Sequence, residues 1–141
     1  MRKTFILTLT LIIFSVTGLP AEEISQQLDQ LNEEATQAFY AADYPTALEK
    51  WEAGLKKARE IGDKDYISKF IGNLGVVYDD LGQYQKALDY HQQALKIRRE
   101  IGDRRGEARD FGNIGLVYDN LGQYQKALDY YRQALSIDRD K

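Results

Sequence analysis

The chain has 141 residues, 43% of them hydrophobic and 29% charged, with a formal charge of −3 at pH 7. That composition is ordinary for a globular chain, and the mild acidity argues against a general nucleic-acid surface, which needs a basic stripe to displace counterions. Cysteine is absent, which excludes disulfides and thiolate chemistry, catalytic or metal-binding.

Residues 1–21 have the layout of a secretory signal peptide. Arg2 and Lys3 precede an apolar run at 5–16, and small residues follow up to Ala21, a plausible last residue before cleavage. The run is short of the ~20 residues that span a bilayer as a helix. The expectation is a cleaved signal and an extracytoplasmic domain, periplasmic or secreted, over 22–141; the alternative is an uncleaved membrane anchor. Losing Arg2 and Lys3 moves the charge from −3 to −5.

Ile24, Leu28, Leu31, Ala35, Ala38 and Phe39 recur at three- and four-residue spacing, which predicts a helix over 22–42. Pro45 suits the first turn of a second helix, whose apolar face carries Ala47, Leu48, Trp51, Leu55 and Ala58. Gly62 suits a left-handed helix end, and Asp63 suits the cap of the next helix. The same grammar predicts helices over 64–80, 84–101, 104–121 and 124–138, with Gly82 ending the first of these and Gly102-Asp103 making a further turn.

Residues 72–95 and 112–135 are near copies, identical at 19 of 24 positions at a constant offset of forty. A fainter copy lies forty residues earlier, where Tyr44, Ala47 and Leu48 align with Tyr84, Ala87 and Leu88. A fixed period in this range signals a stacked repeat architecture. The expected fold is all-α: six antiparallel helices in three hairpins, at about 24–62, 63–102 and 103–141.

The third copy reads Phe111-x2-Ile114-Gly115-x2-Tyr118, then Ala127-x3-Tyr131. The second reads Ile71-x2-Leu74-Gly75-x2-Tyr78, then Ala87-x3-His91; the first keeps Ala47-x3-Trp51. This pattern resembles the tetratricopeptide repeat, in a form longer than the common 34 residues and similar to the repeats of kinesin light chains and of spindle adaptors rich in Leu-Gly-Asn. Those adaptors often place Asn after Leu-Gly, where this chain has Val76 and Leu116. The resemblance implies a right-handed superhelical solenoid with the first helix of each pair lining a concave groove.

Three outward stripes then follow: Asp29, Glu33, Thr36, Tyr40; Lys69, Asn73, Val76, Asp80; and Arg109, Asn113, Leu116, Asn120. The resemblance implies that Asn73 and Asn113 grip a peptide backbone, since an amide both donates and accepts. It implies that Lys69 and Arg109 hold acidic side chains. Val76 and Leu116 add apolar contact. The expected partner is a peptide or helical segment bearing acidic residues, with no nucleic acid and no cofactor.

Other motifs read as scaffold. His91 aligns with Trp51 and Tyr131, so it fills a packing position. Gly72-Asn73-Leu74-Gly75 lacks the Gly-Lys-Ser/Thr ending of a phosphate loop. Asp79, Asp80 and Asp119 lack the oxygen pattern of a calcium loop. The basic residues of 96–99 and 104–105 read as solvated helix ends. Leu128, Tyr130, Tyr131, Leu135 and Ile137 leave the last helix apolar where a terminal repeat is expected to be polar, so the chain is either part of a longer product or self-associates. With no nucleophile and base in register, the function expected is a non-enzymatic binding module; the alternative is a regulatory or sensor segment of a larger enzyme or signalling protein.

Overall fold

The computed structural model describes residues 18–139, with side chains as far as Ile137. The expected signal segment falls mostly outside these residues. Of its end, Leu19 packs against the edge of the core, and Ala21 already opens the first helix. Among the described residues no helix is long and apolar enough to cross a membrane.

Every element is helical: α1 (Ala21–Tyr40), α2 (Tyr44–Ile61), α3 (Lys64–Asp80), α4 (Tyr84–Ile101), α5 (Arg104–Asn120) and α6 (Tyr124–Arg139). Local chemistry explains the boundaries. Asp43, Asp63 and Asp103 each accept a hydrogen bond from the backbone N–H three residues on, the shortest at 2.8 Å to Gly106. Gly62 and Gly102 end α2 and α4 with φ of 71° and 74°, a conformation that glycine adopts without Cβ strain. The next amides, of Asp63 and Asp103, donate back to Ala58 and Arg98 at 3.0 and 2.9 Å, closing each helix end.

The helices pair as α1/α2, α3/α4 and α5/α6, and α2/α3 and α4/α5 join the pairs into one array. The first helices also touch one another, α1 to α3 and α3 to α5, whereas α2, α4 and α6 do not. The array therefore closes on the side of the first helices.

One continuous core runs through the stack, with Leu28, Phe70, Leu74, Ala87 and Ile114 fully buried. Burying each large aliphatic side chain contributes about 1.5–3 kcal/mol before the entropic cost of ordering it. Tyr78 stacks on Tyr90 at 5.3 Å and 16°, and Tyr118 stacks on Tyr130 at 5.4 Å and 16°. The two tyrosines thus hold equivalent places in neighbouring hairpins, and the forty-residue offset is structural. Beneath them, a Cβ on Gly75 would lie 2.7 Å from the His91 ring, and one on Gly115 would lie 2.7 Å from Tyr131. Helix approach in both hairpins depends on these glycines.

The seams between hairpins are built differently. At α2/α3 the Phe70 ring fills the space over Gly54. At α4/α5 the residue matching Phe70 is Asp110 and the residue matching Ala58 is Arg98. These two form a buried ion pair at 2.7 Å. The expectation that 96–99 is a solvated helix end fails at Arg98, which is 4% exposed. Its guanidinium is drawn inward by Asp110 and Asp103 and by the carbonyl of Ser68.

The last helix also departs in part from expectation. Tyr130 and Tyr131 are half-buried and Ile137 is buried, because they pack back into their own hairpin. Leu128 and Leu135 are 42% and 57% exposed, while their repeat mates Leu88 and Leu95, covered by α5, are 4% and 8% exposed.

Candidate binding surface

The three stripes lie along the first helices, on the side where the array closes. Asp29, Glu33, Tyr40, Asp80, Arg109, Leu116 and Asn120 are exposed, and Thr36, Lys69, Asn73, Val76 and Asn113 are half-buried. The structure sorts these residues by how far they are already engaged.

Several serve the scaffold. Asn73 Nδ2 donates to Asn32 Oδ1 at 3.0 Å, and Trp51 Nε1 donates to the same oxygen at 3.1 Å. One amide oxygen therefore ties α1, α2 and α3 together. Asn120 Nδ2 donates to Asp79 Oδ1 at 3.0 Å, tying α5 to α3. Burial raises the pKa of Asp79 and the Asn120 bond opposes that shift. Tyr44 donates to Asp80 at 3.3 Å. Tyr66 donates to Asp29 at 2.8 Å, and burial with this bond pushes the phenol up to about 12. Lys69 Nζ lies 4.7 Å from the centre of the Tyr66 ring, a cation–π contact.

Others are available. Asn113 matches Asn73, but the residue in Asn32's place is Gly72, so its amide has no hydrogen-bond partner among the described residues. Leu116 is 46% exposed. Arg109 makes no ion pair among the described residues, and burial together with the nearby Arg98 charge holds its pKa below the usual arginine value. Arg109, Asn113 and Leu116 thus form the unengaged part of the surface on α5. Arg109 also borders a cleft of about 730 Å³ between α5 and α6, lined by Asp103, Arg105, Gly106, Ala108, Ala134 and Leu135 as well.

Two titratable groups of the interior, His91 and Asp110, are displaced well away from their ordinary values. Burial, and next the Arg98 charge, lower the pKa of His91 to about 4, so its ring is neutral at pH 7, and Nδ1 has no partner among the described residues. Burial raises Asp110 to about 6 against the pull of Arg98. Neither group is at a surface where it could meet a substrate. Among the described residues, no group of His, Asp and Glu side chains is arranged to hold a metal ion.

Sequence reading missed Arg98, Asp110 and Asn32, whereas Arg105 is exposed as expected. A signal was present for the first two: an arginine where another copy has Ala58, and an aspartate where it has Phe70. Such paired departures within a repeat point to a substituted contact.

The tetratricopeptide repeat model matches residues 31–100 and 66–140, so the chain belongs to the tetratricopeptide repeat family. Members of this family are generally protein–protein interaction modules. Among solved structures, the chain resembles the tetratricopeptide domain of Arabidopsis FLU, with a TM-score of 0.76 and 21% identity over 84% of this chain and 99% of that one. It also resembles BtubC (BKLC) from P. vanneervenii, with a TM-score of 0.70 and 24% identity over 82% of this chain and 47% of that one. The N-terminal domain of stress-induced protein-1 (STI-1) from C. elegans aligns with a TM-score of 0.67 and 14% identity over 81% and 86% of the two chains. No curated protein matches the sequence. At these identities the structural likenesses establish the fold.

Proposed function

We propose that the chain is a non-enzymatic adaptor that binds an extended or helical protein segment along its first helices. The supporting observation is the row on α5: Arg109 and Asn113, which have no ion-pair or hydrogen-bond partner among the described residues, and an exposed Leu116. An arginine takes a carboxylate, an amide takes a peptide group, and a leucine takes an apolar side chain between them. Lys69 and Val76 extend the row onto α3, where Asn73 is already held by Asn32. The ligand is a segment carrying an acidic residue. In this reading the hairpins coil right-handedly around the groove, and the segment at 1–21 exports the domain to the periplasm or the exterior.

The test is retention of partners from the extracytoplasmic fraction by the wild-type chain and by an Arg109→Ala/Asn113→Ala variant of unchanged helicity. A retained partner that the double variant loses supports the reading; equal retention places the site elsewhere. A second reading draws on exposed Leu128 and Leu135: the domain is a regulatory segment of a larger protein, or pairs with a copy of itself through α6.

A further inference from the structure

Each hairpin forms the same hollow, where the start of its first helix faces the end of its second. In hairpin one, α3 fills it: the Phe70 ring lies over Gly54, and the Tyr66 hydroxyl donates to Asp29 Oδ1 at 2.8 Å. In hairpin two, Arg98 and Asp110 fill it, with Arg98 Nη2 donating to the Ser68 carbonyl at 3.4 Å. In hairpin three no described residue from a further helix fills it, and it is the cleft of about 730 Å³. Leu135 on its wall is 57% exposed, against 6% and 8% for its repeat mates Leu55 and Leu95.

The open hollow has its own charge. Arg109 occupies the place that Asp29 holds in hairpin one. Where Asp29 accepts a hydrogen bond from a phenol, Arg109 can only donate. Arg105 stands beside it on the cleft wall, and neither arginine has an ion-pair partner among the described residues. Asp103, the acid on the rim, is already held by Arg98 Nη1 at 2.7 Å.

We infer that this end cleft is a docking socket for an amphipathic helix of another protein. Helix α3 supplies the template: a polar residue, Tyr66, and four residues later an apolar one, Phe70, lie on one face and enter the hollow together. The reversed charge at Arg109 sets the polar residue as Glu or Asp, and the Ala134 methyl, standing where hairpin one has Gly54 beneath the Phe70 ring, sets its companion as an aliphatic side chain smaller than phenylalanine that packs on Leu135. The α1 helix of a second copy does not meet this requirement, because it presents Gln26 and Gln30 at the two positions. The socket shares Arg109 with the groove reading but stands apart from it on Arg105 and Leu135.

The probe is a fluorescent peptide copying residues 63–80 of this chain with the substitutions Tyr66→Glu and Phe70→Val, titrated against the full chain by anisotropy. The expected result is saturable binding, weakened about tenfold by Arg105→Glu/Arg109→Glu in the chain or by Tyr66→Lys in the peptide. Combining both changes restores it. Leu135→Asp, at an exposed position, weakens binding with helicity unchanged, and Asn113→Ala in the groove leaves it intact. Equal binding of the Glu and Lys peptides overturns the inference. So does a loss of binding on Asn113→Ala that Leu135→Asp does not produce. A dimer at assay concentration that Leu135→Asp dissolves also overturns it and gives the face to a second copy.

Discussion

Arg98 Nε donates to Asp110 Oδ2 at 2.7 Å across the α4/α5 seam, where the two side chains are 4% and 1% exposed. One seam earlier, the same two positions hold Ala58 and Phe70, both fully buried. The stack therefore joins its hairpins once through a ring and once through a buried ion pair. The second solution is conditional on both partners, because a buried charge left alone loses its hydration without compensation. Asp110 Oδ1 already lacks a hydrogen-bond partner among the described residues.

Arg98→Ala should destabilise the fold by about 3–5 kcal/mol, since it strands Asp110. Arg98→Ala/Asp110→Phe/Ala94→Gly rebuilds the α2/α3 arrangement and should recover most of that loss. Chemical denaturation of the single and triple variants measures the coupling. A triple variant as unstable as the single one would show that the two seams are not interchangeable.

The two asparagines of the groove should behave differently. Asn73→Ala removes the bond to Asn32 and should cost about 1 kcal/mol. Asn113→Ala breaks nothing and should shift stability by no more than about 0.5 kcal/mol, while reducing retention of the groove ligand. Thermal melts and pulldown of the same two variants check both halves.

His91 should make the fold acid-sensitive. Its folded pKa, about 4, lies below the ordinary imidazole value of 6.5. Its contribution is thus present above pH 6.5 and is lost as the pH falls through about 4. Asp110 acts oppositely: raised from 3.8 to about 6, it contributes stability below pH 3.8 that is lost as the pH rises through about 6. Between about pH 6.5 and 4 the two nearly offset each other. His91→Tyr copies the Tyr131 arrangement of the next hairpin and removes one side of this balance. Its stability, measured by urea denaturation, should rise relative to wild type as the pH drops from 7 to 5.

Glycine replacements separate close approach from helix propensity. Gly75→Ala puts a methyl 2.7 Å from the His91 ring and should cost about 1–3 kcal/mol through overpacking. Gly112→Ala meets nothing within 4 Å and should stabilise α5 by up to about 1 kcal/mol. Melting temperatures moving in opposite directions are the expected outcome.

Much of the fold was legible because its signals are local. The spacing of Leu74, Tyr78, Ala87 and Leu95 fixes the inward faces, Asp63 and Asp103 fix the helix starts, and Gly62 and Gly102 fix the ends. The candidate surface was legible only as positions. Lys69, Asn73, Val76, Arg109, Asn113, Leu116 and Asn120 all reach solvent at least in part, but their sequence does not tell a free amide from an engaged one.

By itself the sequence determined six helices, their pairing and the forty-residue repeat, since helix periodicity and capping are carried within each segment. Only the tertiary structure decided that Arg98 turns inward, that Asn73 is held while Asn113 finds no partner among the described residues, and that no described residue fills the last hollow. Each of those outcomes depends on which side chain arrives from the neighbouring hairpin. That is set by how the hairpins stack, which brings together residues 12 apart, as Arg98 and Asp110, and 41 apart, as Asn32 and Asn73.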